Sequence, residues 1–173
     1  MKTVYPIGTT LYRPGECFNG YTLISGSGVV KLLDMNGRTA HAWKVDPDKA
    51  RGFIHRARLM PDGRLMLLFG PRGDRLGHVA EFDWDGTLTW EYTPEGDPHH
   101  DFCPKPDGSV LLLCKSPVPR EAVEKIKDPA RRALTIYDDT IVEVSREKRV
   151  VWRWRQHEHL DINQCNPIPA GRD

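Results

Sequence analysis

The chain has 173 residues, with 25 Lys and Arg against 24 Asp and Glu and a net charge of +1. That length supports one domain with a real core, and the charge balance calls for neither nucleic acid nor an anionic membrane surface as partner. The longest apolar runs, LMLLF and VLLLC, fall far below a transmembrane span, and MKTVYPIGTT reads as no export leader, so a cytoplasmic protein is expected.

Residues 1–19 hold an expected N-terminal strand, from TTLYRPGEC, either the inner strand of a first unit or an outer strand closing a ring. FNGYTLISG, GVVKLLD and the HAW of RTAHAWKV follow as three strands of a first unit over 20–46. HRARLMPDGRLMLLFG opens a second unit at His55, and HDFCPKPDGSVLLLCK opens a third at His100. Both phrases run His, five residues, Pro-Asp-Gly and then a solid apolar strand, and the histidines are 45 residues apart. A strand apolar on both faces suits burial on both sides. Each unit then carries a further strand (HVAEFD, TIVEVS), a turn (DMNG, DWDG, SREK) and a closing triplet, HAW, WEY or WRW. Asn-Gly and Asp-Gly favour the positive φ of tight hairpins. In the closing strand Leu88, Trp90 and Tyr92 alternate with Thr87, Thr89 and Glu91, a half-buried pattern of period two. Glu81 and Glu143 repeat at matched positions and are expected to be structural.

A four-stranded antiparallel unit of about 45 residues, repeated, is the mark of a β-propeller blade. The expected fold is therefore all-β, a partial propeller of about three four-stranded blades. The blades are 20–46, 53–94 and 99–156, with a short helical insertion at 117–134 and a tail at 157–173. Three blades cannot close a ring. The missing ones are expected from a second polypeptide, from further copies of this chain, or from a parent chain cut near Asp173. Cys17, Cys103, Cys114 and Cys165 form no CxxC pair and read as plain thiols.

The inner strand of a blade lines the axis, so His55 and His100 are expected at the mouth of the central channel. There they could take part in group transfer, move a proton, or bind a divalent metal ion. His99 and Asp101 flank His100, and strand alternation sends both away from the face His100 uses. Arg72 and Arg75, in the loop GPRGDRLGH, suit an anionic substrate. HEHLDINQC adds His159 and Asn163 at the same mouth, and its His-x-His would bind a metal if strand-like.

NGYTLISG…VVKLLDMNGRTAHAWKV, RARLMPDGRLMLLFG, GHVAEFDWDGTLTWEYTP, HHDFCPKPDGSVLLL and IVEV…RVVWRW resemble the arylsulfotransferase (aryl-sulfate sulfotransferase) family over about residues 5–157, in the N-terminal half of such proteins. The resemblance implies a six-bladed propeller with an axial site. There a histidine takes a sulfuryl group from an aryl sulfate and passes it to a phenol, without a cofactor. It matches His55 and His100 to the histidines that open blades, and implies that the nucleophile and the sulfate-binding arginine lie in later blades. The candidate catalytic residues are His100, His55, His99 and Asp101, and the candidate substrate-binding residues are Arg72, Arg75, His159 and Asn163. His55 and His100 become ligands if the protein is instead a metal-dependent hydrolase or lyase. A non-enzymatic scaffold for protein binding is the third possibility.

Overall fold

The computed structural model describes residues 9–26, 29–45, 53–73, 76–164 and 168–169. Residues 9–20 contain a short 3-10 turn at Pro14–Glu16 and no strand. The N-terminal strand expected over 1–19 thus has no counterpart in 9–19, and residues 1–8 lie outside the described residues.

Three antiparallel sheets follow. The first is β1 (Thr22–Gly26), β2 (Val29–Leu33) and β3 (Thr39–Lys44), paired in that order. The second is β4 (Ile54–Leu59), β5 (Leu65–Phe69), β6 (His78–Phe82) and β7 (Leu88–Tyr92). The third is β8 (Asp97–Pro104), β9 (Val110–Pro117), β10 (Ile136–Val144) and β11 (Val150–Arg155). Short helices α1 (Arg120–Val123) and α2 (Pro129–Arg132) sit between β9 and β10, α3 (Gln156–His159) follows β11, and β12 (Ile168–Pro169) pairs with the start of β10. The fold is an open partial propeller of three sheets.

The turns explain why the strands stop where they do. Gly37, Gly63, Gly86 and Gly108 all have φ between +76° and +87°. Gly37 donates its N–H to Asp34 O at 3.0 Å and Gly63 donates to Met60 O at 2.9 Å. A type I turn ending in a left-handed residue costs glycine least. Lys148 holds the equivalent place in the third sheet at φ +63°.

The register confirms the repeat. His41 pairs with Leu32, Trp90 with Glu81, and Trp152 with Glu143. The solid apolar strand β5 is buried at all five positions because it packs on both sides. Leu65, Leu67 and Phe69 join Trp43 and Val30 of the first sheet, while Met66 and Leu68 join Leu112 and Val142 of the third. Each side chain faces one neighbour, so two cores are built from one strand of period two.

Side chains of one sheet also grip the β-turn of the next. His41 Nε2 donates to Trp84 O at 2.9 Å and its ring stacks on Trp84 at 3.9 Å. Trp90 Nε1 donates to Arg146 O at 2.9 Å, and the Arg146 guanidinium lies 5.1 Å over the Trp90 ring. Arg146 also pairs at 2.9 Å with Glu81, whose side chain is 2 % exposed, and Arg64 reaches the same carboxylate at 2.7 Å. Burial alone would raise the Glu81 carboxyl, but hydrogen bonds from Arg146, Arg64 and Thr89 outweigh it and hold the group below its ordinary value. Glu81 and Glu143 are both structural, Glu143 pairing with Lys105 at 2.7 Å.

The insertion carries its own small core of Val118, Val123, Ile126, Ile136 and Ile162. Cys17 and Cys103 are exposed free thiols, whereas burial pushes the Cys114 thiol up to about 12. Cys165 lies outside the described residues. No helix among the described residues is long and apolar enough to cross a membrane.

Candidate active site

Both blade-opening histidines sit at breaks in the ladder. Ile54 pairs with Phe69 and Arg56 with Leu68, which leaves His55 without a partner position. In β8, Pro98 pairs with Cys114 and Phe102 with Leu112, so His99, His100 and Asp101 together span a single residue of β9. Such bulges re-aim side chains. His100 reaches φ +57°, a left-handed backbone that an L-residue adopts at a cost.

The bulges bring the two rings together. His55 and His100 have centroids 6.0 Å apart, and His99 lies edge-on to His100 at 5.0 Å. His100 is exposed and His55 is half-buried against Phe53, with ring centroids 4.2 Å apart. The His55 ring also occupies the space over Gly70, where an added Cβ would lie 2.6 Å from Nε2. Gly70 is thus the glycine this ring position requires, and its N–H is fixed at 2.9 Å to Phe53 O.

Burial lowers the pKa of His55, and the charges of His100 and His99 lower it further. Burial likewise lowers His99, and here the neighbouring Asp139 carboxylate opposes the shift. At neutral pH both rings are held in the neutral form, with one nitrogen lone pair and one N–H each.

The alternation expected for His99 and Asp101 does not survive the bulge. His99 Nε2 turns to its own sheet and lies 3.2 Å from Asp139 Oδ1. Asp101 turns to the second sheet, where Arg58 donates to it at 2.9 Å and Arg56 approaches to 3.3 Å. Arg58 Nε also donates to Phe102 O at 2.9 Å. Asp101 therefore ties β8 to β4.

HEHLDINQC is not strand-like either. Gln156–His159 forms α3, so His157 and His159 diverge. The Nδ1 and backbone N–H of His157 both donate to Asp138 Oδ2, on side chains 8 % and 2 % exposed. His159 stacks flat on Trp154 at 5.2 Å. Asn163 accepts from Lys127 N–H at 2.8 Å and donates to Lys125 O at 3.2 Å, clamping the insertion to the tail. Arg72 is exposed in the β5–β6 loop, and Arg75 lies outside the described residues. Among the described residues no group of three His, Cys, Asp or Glu could hold a metal ion.

Gly70, Asp139 and Asp138 escaped the sequence reading. Gly70 closes an apolar strand before Pro71, and Asp138-Asp139 interrupts an otherwise apolar one, which are the marks that could have flagged them.

No curated protein matches the chain significantly. The family model "Arylsulfotransferase (ASST)" matches residues 21–171, nearly the whole chain. The chain belongs to the arylsulfotransferase family.

Proposed function

We propose that the chain carries part of the axial site of an enzyme that moves a sulfuryl group from an aryl sulfate to a phenol. The neighbouring pair His55 and His100 carries this reading, since two rings with centroids 6.0 Å apart are close enough for a nitrogen of each to reach one bound sulfate. The lowered basicity of His55 suits the task. A neutral imidazole keeps a lone pair at neutral pH, and its other nitrogen donates an N–H to a sulfate oxygen.

In the first half-reaction a histidine nitrogen bonds to sulfur, the S–O(aryl) bond breaks, and the phenolate leaves. In the second, the acceptor phenol loses its proton to a neutral imidazole, its oxygen bonds to sulfur, and the N–S bond breaks. His55 and His100 hold and orient the group, and His99 supports them through its contact with His100. The sheets that complete the ring supply the remaining contacts.

The test is nitrophenol release from a nitrophenyl sulfate with and without phenol, on the assembled protein. Release that depends on phenol, and falls on His100→Ala while the fold is kept, supports the transferase. Release abolished by a chelator and restored by one divalent ion moves the same histidines to a metal-dependent hydrolase. No release from the wild-type protein points to a scaffold, and release unaffected by His100→Ala takes the reaction away from this pair.

A further inference from the structure

The second and third sheets differ on the side that each turns to the sheet before it. Counted back from the matched acids Glu81 and Glu143, the cross-strand pair Phe69 and His78 corresponds to Cys114 and Thr140. Phe69 and His78 are buried and their rings stack at 4.6 Å, filling the seam with the first sheet. Cys114 and Thr140 are buried as deeply but are far smaller. On the outer strand the change is one of charge. Glu91, opposite Ala80, gives way to Arg153, opposite Val142. Thr93, after Tyr92, gives way to Arg155, after Trp154. At this one place the repeat loses ring volume and gains two cations.

A cavity of about 20 Å³ lies there, in the seam between the second and third sheets. Thr140, Cys114, Arg153 and Arg155 line it from the third sheet, and Glu95 and Gly96 from the connection that enters β8. Thr140 is 2 % exposed, and among the described residues its hydroxyl has no hydrogen-bond partner. A hydroxyl buried in this way is costly unless something in the cavity pairs with it. Arg155 is half-buried and, among the described residues, has no carboxylate partner. Arg153 pairs with Glu95 at 3.1 Å, but the Glu95 side chain is 81 % exposed. The lining therefore holds two cations against one solvated carboxylate. Burial pushes the Cys114 thiol up to about 12 and raises the Tyr92 phenol, so neither adds a negative charge at neutral pH. Asp138, two residues before Thr140, lies outside the lining and has His157 as its partner.

We propose that this cavity binds one halide ion, held by the Arg155 guanidinium and the Thr140 hydroxyl with Arg153 beside them. The cavity selects by size: it admits one particle about as large as a water molecule, and a tetrahedral oxyanion is larger. A water there would pair with Thr140 but leave the excess positive charge unanswered. Both donors suit an anion, since a guanidinium offers only N–H groups and a hydroxyl turns its proton to meet the charge. The ion joins β10 and β11 to the Glu95–Gly96 link, which leads directly into the strand that carries His99 and His100. The cavity shares no residue with the His55–His100 pair, and its occupancy does not depend on the reaction proposed above.

Thermal melts in sodium chloride against sodium gluconate test it, at equal ionic strength so that screening is constant. Chloride at about 0.1 M should raise the folded-to-unfolded ratio about tenfold over gluconate, as mass action gives for a dissociation constant of about 10 mM. Thr140→Val, which keeps the shape, and Arg155→Met should each melt cooperatively and remove that difference. Crystals grown in sodium bromide should show an anomalous peak within hydrogen-bond reach of Thr140 Oγ1. A cavity that holds only water in bromide overturns the proposal. So does a chloride effect that persists in both variants, which would place the ion elsewhere, and so does sulfate stabilising as well as chloride, which would remove the selection by size.

Discussion

At one end of the third sheet the chain places two groups of histidines, His99 and His100 on the inner strand β8 and His157 and His159 beyond the outer strand β11. The outer pair is committed. His157 gives its Nδ1 proton and its backbone N–H to the buried Asp138, and His159 lies flat on Trp154. Of the inner pair, His99 turns its Nε2 to Asp139 at 3.2 Å, while His100 is held by a distorted backbone and by ring packing and stays open to solvent. A histidine whose proton is fixed by a buried carboxylate anchors a connection. A histidine held only by shape keeps its nitrogens for a substrate.

Substitution should therefore have opposite effects at the two corners. His100→Ala should cut phenol-dependent turnover about a thousandfold, within the range for a lost donor to the group in transfer, and leave the melting temperature near that of wild type. His157→Ala should leave the turnover of folded molecules intact. It should lower stability by about 3 kcal/mol, because the carboxylate of Asp138 stays buried with only the backbone N–H of residue 157 left to it. Thermal melts and steady-state rates on the same two preparations check both halves. Equal loss of activity in the two variants would erase the distinction.

Most of the fold was legible because the repeat is a packing rule written in side chains. Strand β5 is apolar at every position since both its faces are buried, and the aromatic triplets recur since each grips the next turn. The insertion was legible from its composition alone. Of the candidate residues, the repeat singled out His55 and His100, which the structure brings side by side. The directions of His99 and Asp101 differ from expectation because alternation assumes an unbroken ladder, and the β8 bulge leaves no local mark in DPHHDF. HEHLD misled for a related reason. Two histidines two residues apart share a face on a strand but not on a helical turn, and Asp138, which decides the matter, is remote in sequence.

A smaller effect should come from the floor under His55. Gly70→Ala puts a methyl 2.6 Å from Nε2, so the ring must leave its place opposite His100. Turnover should fall about tenfold from mispositioning alone, with little change in melting, since the Gly70 N–H bond to Phe53 O is kept. The His100 backbone should respond the other way. At φ +57° a glycine sits more easily than any L-residue, so His100→Gly should be more stable than His100→Ala by about 1 kcal/mol while both are inactive. Chemical denaturation of the two variants reads the strain held at this corner.

The smallest expected effect is in the pH dependence, and its sign follows from the lowered pKa of His55 and His99. In the unfolded chain both rings take up a proton near the ordinary value of 6.5. In the folded chain they take it up at lower pH, because burial disfavours the charged ring. Between the two values the unfolded state holds more protons, so stability falls as pH drops below the ordinary value and levels off once the folded rings are charged. Asp139 opposes the shift at His99, so His55→Gln should flatten the slope more reliably than His99→Gln. Turnover should follow the folded rings: its acid limb should lie below the ordinary histidine value. An acid limb at or above that value would mean that another group titrates in the reaction, and an alkaline limb below it that a proton on His55 is needed; either result would pass the neutral-imidazole role to another group.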